Sequence, residues 1–242
     1  MTPPGFLVIA HRGASSYAPE NTFAAFELAL RMGVTHIELD VHATSDGAIV
    51  VIHDDTVDRT TDGHGPVTGY TLAALRALDA GARFGEVFAG ERIPLFADVL
   101  ERYKGRAHLH VEIKGHSPHL AHRTVDLIRK HGMTGDVTIT SFQRSALEEA
   151  RAYAPELPTG WLVPQVTDAI VADTRTLGLT QLCPRANTVT PDLVRRLHAE
   201  GFVVRAWGVA NEELMRQAVE AGVDGMTVNF PDKLLAFLAN PA

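Results

Sequence analysis

The chain has 242 residues, 45% of them hydrophobic and 21% charged, which places it among soluble globular proteins. Its net charge of −7 argues against a nucleic-acid partner, whose footprint is a basic face, but not against a phosphate substrate, because a bound cation can supply positive charge locally. No apolar stretch is long enough to span a membrane, and the single cysteine, Cys183, excludes an internal disulfide.

The first strand is predicted over residues 6–10. No basic segment precedes it, so no signal peptide is expected and the expected location is cytoplasmic. Helical spacing of Phe23, Phe26 and Leu30 predicts a helix over 22–32, with Asn21 or Thr22 as N-cap and Gly33 as its stop. Strands over 36–42 and 48–53 are joined by the turn Ser45-Asp46-Gly47. Residues 54–92 are irregular, with a Gly-rich turn and one helix near 72–78, and read as an excursion rather than a second domain. A helix with Pro94 at its start runs to residue 103.

From there the pattern is regular. Strands over 108–113, 137–140, 159–163, 181–183, 203–207 and 225–228 alternate with helices over 120–131, 144–153, 166–177, 191–200 and 212–221. Gly132, Gly178, Gly201 and Gly222 close several of these helices. Such alternation implies a parallel sheet with right-handed crossovers. The length suits a TIM (β/α)8 barrel, which runs to about 250 residues. The strand count slightly exceeds eight, so one strand is extra, and 54–92 becomes a small insertion after the third strand of a single domain spanning 1–242. No Gly-rich fingerprint follows the first strand, which weakens the open doubly wound alternative.

The informative residues sit in or just after strands. His11-Arg12-Gly13 follows the first strand. Strand side chains alternate between faces, so Glu38 and Asp40 share one face while Ile37, Leu39 and Val41 share the other. The apolar set belongs against helices, which leaves the carboxylates pointing into the barrel. Glu112 and Lys114 repeat the pattern in the strand after residue 107, and His53 ends the strand before the insertion. Three inward carboxylates require a cation or retained protons, because buried like charges repel. Oxygen donors suit a hard ion, Mg²⁺ or Ca²⁺. Arg12 and Lys114 suit an anionic substrate, and two histidines supply acid and base near neutral pH. Together these describe phosphoryl transfer.

Several residues have simpler readings. Among the 12 histidines, His64, His116, His119, His122, His131 and His198 fall in loops or on helix faces. His42, His108 and His110 face inward, where lining a polar barrel floor or supporting ligands by hydrogen bonds suffices. Asn21 and Thr22 read as a helix start, and Cys183 as an idle buried thiol.

In order along the chain, His11-Arg12-Gly13, Pro19-Glu20-Asn21-Thr22, Glu38-Leu39-Asp40, Val51-Ile52-His53-Asp54-Asp55 with Arg59-Thr60-Thr61, Val111-Glu112-Ile113-Lys114, and the segment from Gly222 to Pro231 resemble the glycerophosphodiester phosphodiesterase family. The resemblance implies a TIM-type barrel with an insertion after His53. It implies a divalent cation, Mg²⁺ or Ca²⁺ with Mn²⁺ also suitable, on Glu38, Asp40 and Glu112. It implies His11 and His53 as the acid/base pair, Arg12 and Lys114 on the phosphate, and Phe142 and Trp207 on the pocket wall. The implied reaction converts a small glycerophosphodiester to sn-glycerol 3-phosphate and an alcohol. Val228 before Asn229, and Trp207-Gly208-Val209-Ala210-Asn211, depart from the family's usual pattern and bear on substrate preference.

Three rivals remain. Lysophospholipase D-type activity needs an apolar route, for which Leu72, Leu75, Leu78, Phe84 and Phe88 are candidates, although a small core of their own is the simpler reading. A non-catalytic phosphodiester-binding module leaves the histidine pair without a purpose. A sugar-phosphate isomerase or aldolase leaves the carboxylates unexplained. The sequence leaves oligomeric state open and does not separate a cyclic-phosphate route from direct attack by water.

Overall fold

A computed structural model describes residues 5–240. Eight parallel strands form a closed ring: β1 (Leu7–His11), β2 (His36–Ala43), β4 (His108–Ile113), β5 (Val137–Ser141), β6 (Thr159–Val163), β7 (Gln181–Pro184), β8 (Val203–Val209) and β9 (Gly225–Val228). Pairing of β1 with both β2 and β9 closes it. The fold is the expected TIM barrel. The extra strand is β3 (Ile49–Val51), which pairs antiparallel with β2 outside the ring. It is shorter than the sequence pattern predicts. The Ile52 amide donates to Asp40 O (3.1 Å), so the chain crosses the top of β2 and leaves His53 over the barrel mouth.

Alternation along β2 works as read. Ile37, Leu39 and Val41 are fully buried against the helical shell. Helix α1 (Phe23–Arg31) is capped by Thr22, whose hydroxyl accepts from the Ala25 amide. Its Phe26 meets the buried Tyr103 of α3 (Phe96–Tyr103) edge-on, with ring centroids 5.9 Å apart. Pro94 does not open α3. Its carbonyl accepts from the Val51 amide (2.9 Å) and Leu95 bridges Val50, so this stretch is held to β3 in extended form and the helix starts at Phe96. Helices α4 (Leu120–Lys130), α5 (Arg144–Tyr153), α6 (Asp168–Thr176), α7 (Pro191–Ala199) and α8 (Glu212–Glu220) occupy their predicted crossovers. A final helix, α9 (Pro231–Ala239), was not anticipated, although Pro231 at its first turn marks its start.

The excursion carries the short helix α2 (Leu72–Leu75) and its own small core of Val50, Ile52, Val57, Val67, Leu75, Ala80 and Ile93. Leu72 and Leu78 pack against that core, whereas Phe84 and Phe88 form an edge-to-face pair nearer the surface. No helix among the described residues is long and apolar enough to cross a membrane.

Candidate active site

A cavity of about 320 Å³ opens at the C-terminal ends of the strands, where TIM barrels carry their chemistry. His11, Arg12, Glu38, His53, Glu112, Lys114, Phe142 and Trp207 all line it. Asp40 lies at the same site, fully buried. The structure thus gathers every residue singled out from the sequence.

One oxygen each from Glu38, Asp40 and Glu112 lie within 4.8 Å of one another. Glu38 Oε1 and Asp40 Oδ1 are buried without a hydrogen-bond partner. Burial, then the charge of Asp40, pushes the carboxyls of both Glu38 and Glu112 above their ordinary range. Orphaned oxygens, mutual repulsion and an all-oxygen donor set fit a hard divalent cation and no soft one.

The neighbouring cations are already paired with these carboxylates. Arg12 has a left-handed backbone (φ 55°) that turns its amide onto Glu38 Oε2 (2.9 Å). Its guanidinium reaches Glu20 Oε1 (2.8 Å) and Asp40 Oδ2 (3.3 Å). Lys114 Nζ stands 2.6 Å from Glu112 Oε1 and 5.0 Å from the centre of the Phe142 ring. Gly13 permits this packing. Its φ is +81°, and a Cβ there would fall 2.5 Å from Ala25 C.

Both histidines are oriented through Nδ1. His11 Nδ1 lies 2.5 Å from Asn229 Oδ1, which can only accept, so the proton sits on Nδ1 and Nε2 is the free atom. Burial, with Arg12 next in effect, pulls the His11 ring down to about 4, so it is neutral near pH 7. His53 Nδ1 donates to Asp54 Oδ1 (2.5 Å). Asp54 in turn accepts from Arg59 (2.7 and 3.0 Å), and Arg59 clasps Glu20 (2.7 and 2.8 Å), the partner of Arg12. A continuous charged chain therefore runs from His53 to the carboxylate triplet. Trp207 is fixed by a bond from Nε1 to Val163 O (3.1 Å) and meets Phe142 edge-on at 4.7 Å.

Sequence reasoning gave no role to Glu20, Asp54, Arg59, Asn229 or Arg205. Asn21 is not the cap of α1. Its amide donates to Asp40 Oδ2 (2.9 Å) from a left-handed backbone (φ 56°), and so it orients a proposed ligand. The barrel floor holds His36, His108 and His110, packed ring to ring at 5.0–5.4 Å.

The signature of the glycerophosphoryl diester phosphodiesterase family matches residues 11–233. A glycerophosphodiester phosphodiesterase of Caldanaerobacter subterraneus is 39% identical over 233 residues, covering 95% of this chain and 96% of that one. A phosphodiesterase from Oleispira antarctica, solved in complex with the product sn-glycerol-3-phosphate, superposes with a TM-score of 0.90 at 31% identity, covering 97% of each chain. A glycerophosphodiester phosphodiesterase from Agrobacterium tumefaciens gives 0.86 at 29% identity, covering 96% of this chain and 99% of that one. With matches that extend from the first barrel strand into the last helix, this chain belongs to the glycerophosphoryl diester phosphodiesterase family.

Proposed function

We propose that the protein hydrolyses glycerophosphodiesters to sn-glycerol 3-phosphate and an alcohol, using a divalent cation, with His11 and His53 as the acid/base pair. The observation that carries this reading is the pairing of two unlike features in one cavity: a buried carboxylate triplet with unpartnered oxygens, and two imidazoles whose Nδ1 atoms are anchored. A binding module has no use for the second feature.

Glu38, Asp40 and Glu112 would hold the cation, which when bound neutralises phosphate charge and polarises phosphorus toward attack. Arg12 and Lys114 border the same place and add positive charge on the phosphoryl oxygens. His11, neutral near pH 7, accepts the proton of the attacking hydroxyl at Nε2. His53 delivers a proton from Nε2 to the departing alcohol oxygen. The attacking hydroxyl is the glycerol 2-hydroxyl, giving a cyclic phosphate that water reopens with the roles reversed, or water itself. Phe142 and Trp207 wall off the other side of the cavity. The insertion's leucines fill their own core, so of the apolar candidates for an acyl route only Phe84 and Phe88 stay near the surface.

The test is a metal-by-substrate screen on purified protein. Turnover of glycerophosphoethanolamine or glycerophosphocholine should require Mg²⁺, Ca²⁺ or Mn²⁺ and stop with EDTA. It should fall about 10²–10⁴-fold in His11→Ala and His53→Ala with folding intact. Full activity in both variants, or activity that survives chelation, refutes the reading.

A further inference from the structure

Arg205 is the buried charge that the hydrolytic reading leaves unused. It lies on β8, across the ring from β2 and β4, which carry the carboxylate triplet. The residue is 2% exposed and lines the cavity beside Thr140, Leu162, Trp207 and Thr227. Its Nε donates to Gln181 Oε1 (2.6 Å), its Nη2 has no hydrogen-bond partner, and among the described residues no carboxylate pairs with it. The surrounding side chains do not compensate the charge. Gln181 is neutral, burial pushes the Cys183 thiol that hydrogen-bonds to Arg205 up toward its neutral form, and burial above all drives the imidazoles of His108 and His110 toward theirs. A guanidinium taken out of water without a counter-charge costs several kcal/mol. A fold keeps such a group where a ligand supplies the missing charge.

The cavity is therefore bipolar, with acid on the β2 and β4 wall and an unpaired cation on the β8 wall. Glycerol hydroxyls and the phosphoryl group belong at the acidic wall under the proposed function, on which this inference rests. The other arm of the diester is then the part directed at Arg205. We propose that Arg205 forms a second anion subsite that selects glycerophosphodiesters whose alcohol carries a carboxylate or a phosphate. Arg12 and Lys114 are poor substitutes, since both already hold carboxylates.

Two substrates isolate the effect. Glycerophosphoserine is glycerophosphoethanolamine with one added carboxylate, so the ratio of their kcat/KM values reads recognition of that group. A charge-assisted contact of this kind predicts a ratio of about 10–10² in favour of the serine ester. Arg205→Gln should lower the serine ester far more than the ethanolamine ester and bring the ratio near one, while Arg205→Lys retains part of it. The ratio does not depend on the fraction of protein that folds, and the unmodified protein tests the idea alone. Glycerophosphoinositol and its 4-phosphate make the same comparison for a phosphate, and the pair that shows the preference names the anion. Absence of preference in both pairs overturns the proposal. So does an Arg205→Gln variant that keeps the original ratio, because Arg205 then acts on the shared phosphoryl group or on the fold. Failure to hydrolyse any of the four esters with added cation refutes instead the hydrolytic reading beneath it.

Discussion

Asp54→Asn changes one charge and no volume, and it tests whether the proton on His53 is placed by design. Asp54 Oδ1 is 2.5 Å from His53 Nδ1, while Arg59 donates to Oδ2 at 2.7 Å and Oδ1 at 3.0 Å. A carboxylate only accepts, so it holds the ring proton on Nδ1 and leaves Nε2 for proton transfer. In the variant, Arg59 claims the single amide oxygen. The amide nitrogen then faces His53 and donates to Nδ1, so the single ring proton sits on Nε2, and giving it to the departing alcohol would leave an unfavourable imidazolate. The loss cannot exceed that of removing His53, so kcat should fall about 10²–10³-fold, within the range of acid/base catalysis. Stability should hardly change. The Asp54 and Arg59 side chains are 29% and 48% exposed, and such pairs contribute about 0–1 kcal/mol. Steady-state kinetics on glycerophosphoethanolamine, thermal melts and imidazole ¹⁵N shifts read the three quantities separately. The double variant with His53→Ala should be no slower than His53→Ala alone, since both remove one function. Wild-type kcat in a folded Asp54→Asn protein, or a double variant slower by the product of the two losses, refutes the reasoning.

Asn229→Ala should lower kcat by about 10²-fold through loss of the His11 Nδ1 acceptor, with KM little altered; a change confined to KM contradicts that role. Gly13→Ala combines a left-handed backbone with overlap on Ala25 and should cost about 2–5 kcal/mol, measured by denaturant unfolding; a loss below 1 kcal/mol contradicts it. In the metal-free protein, Glu38 and Glu112 retain protons that the unfolded chain has released, so their contribution worsens as pH rises above the ordinary glutamate value of about 4.3. The Tm gained on adding saturating Ca²⁺ should therefore grow between pH 5 and 8 and vanish in Glu38→Gln, and a gain that is constant with pH removes the triplet as the binding site.

The barrel was legible because β2 and β4 must satisfy two environments at once. Ile37, Leu39 and Val41 face helices, Glu38 and Asp40 face the lumen, and a one-residue slip would exchange the two sets. The same rule marks Arg205 as inward, since it sits two residues before Trp207 on β8. The antiparallel course of β3 was also written in the chain. The turn at Ser45-Asp46-Gly47 is too short for the crossover that a parallel neighbour needs. What the sequence hides is long-range pairing. Asn229 reaches His11 from 218 residues away, and Glu20 meets Arg59 across 39. Neither pair has a local pattern, because closing the barrel and folding back the insertion bring the partners together. Asn21 misled for a related reason: an Asn beside a helix start reads as a cap until its backbone turns left-handed and presents the side chain to Asp40.

Under the proposed function, the charges around the triplet also predict an order of binding. Glu38, Asp40 and Glu112 face Arg12 and Lys114, so at a pH high enough for both glutamates to have released their protons this wall of the cavity carries one net negative charge and repels a phosphodiester, which is itself an anion. A divalent cation reverses the sign and leaves one positive charge, which a phosphodiester monoanion neutralises. Under the proposed function, cation is therefore expected to bind before substrate at that pH. By calorimetry, glycerol 3-phosphate should bind in the presence of Ca²⁺ and bind at least about 10²-fold more weakly after EDTA, the size of a strong coupling between two sites. Linkage then requires that glycerol 3-phosphate tighten Ca²⁺ by the same factor. Equal affinity for glycerol 3-phosphate with and without cation would mean that Arg12, Lys114 and Arg205 suffice to hold the phosphate, and the carboxylate triplet would need a different explanation.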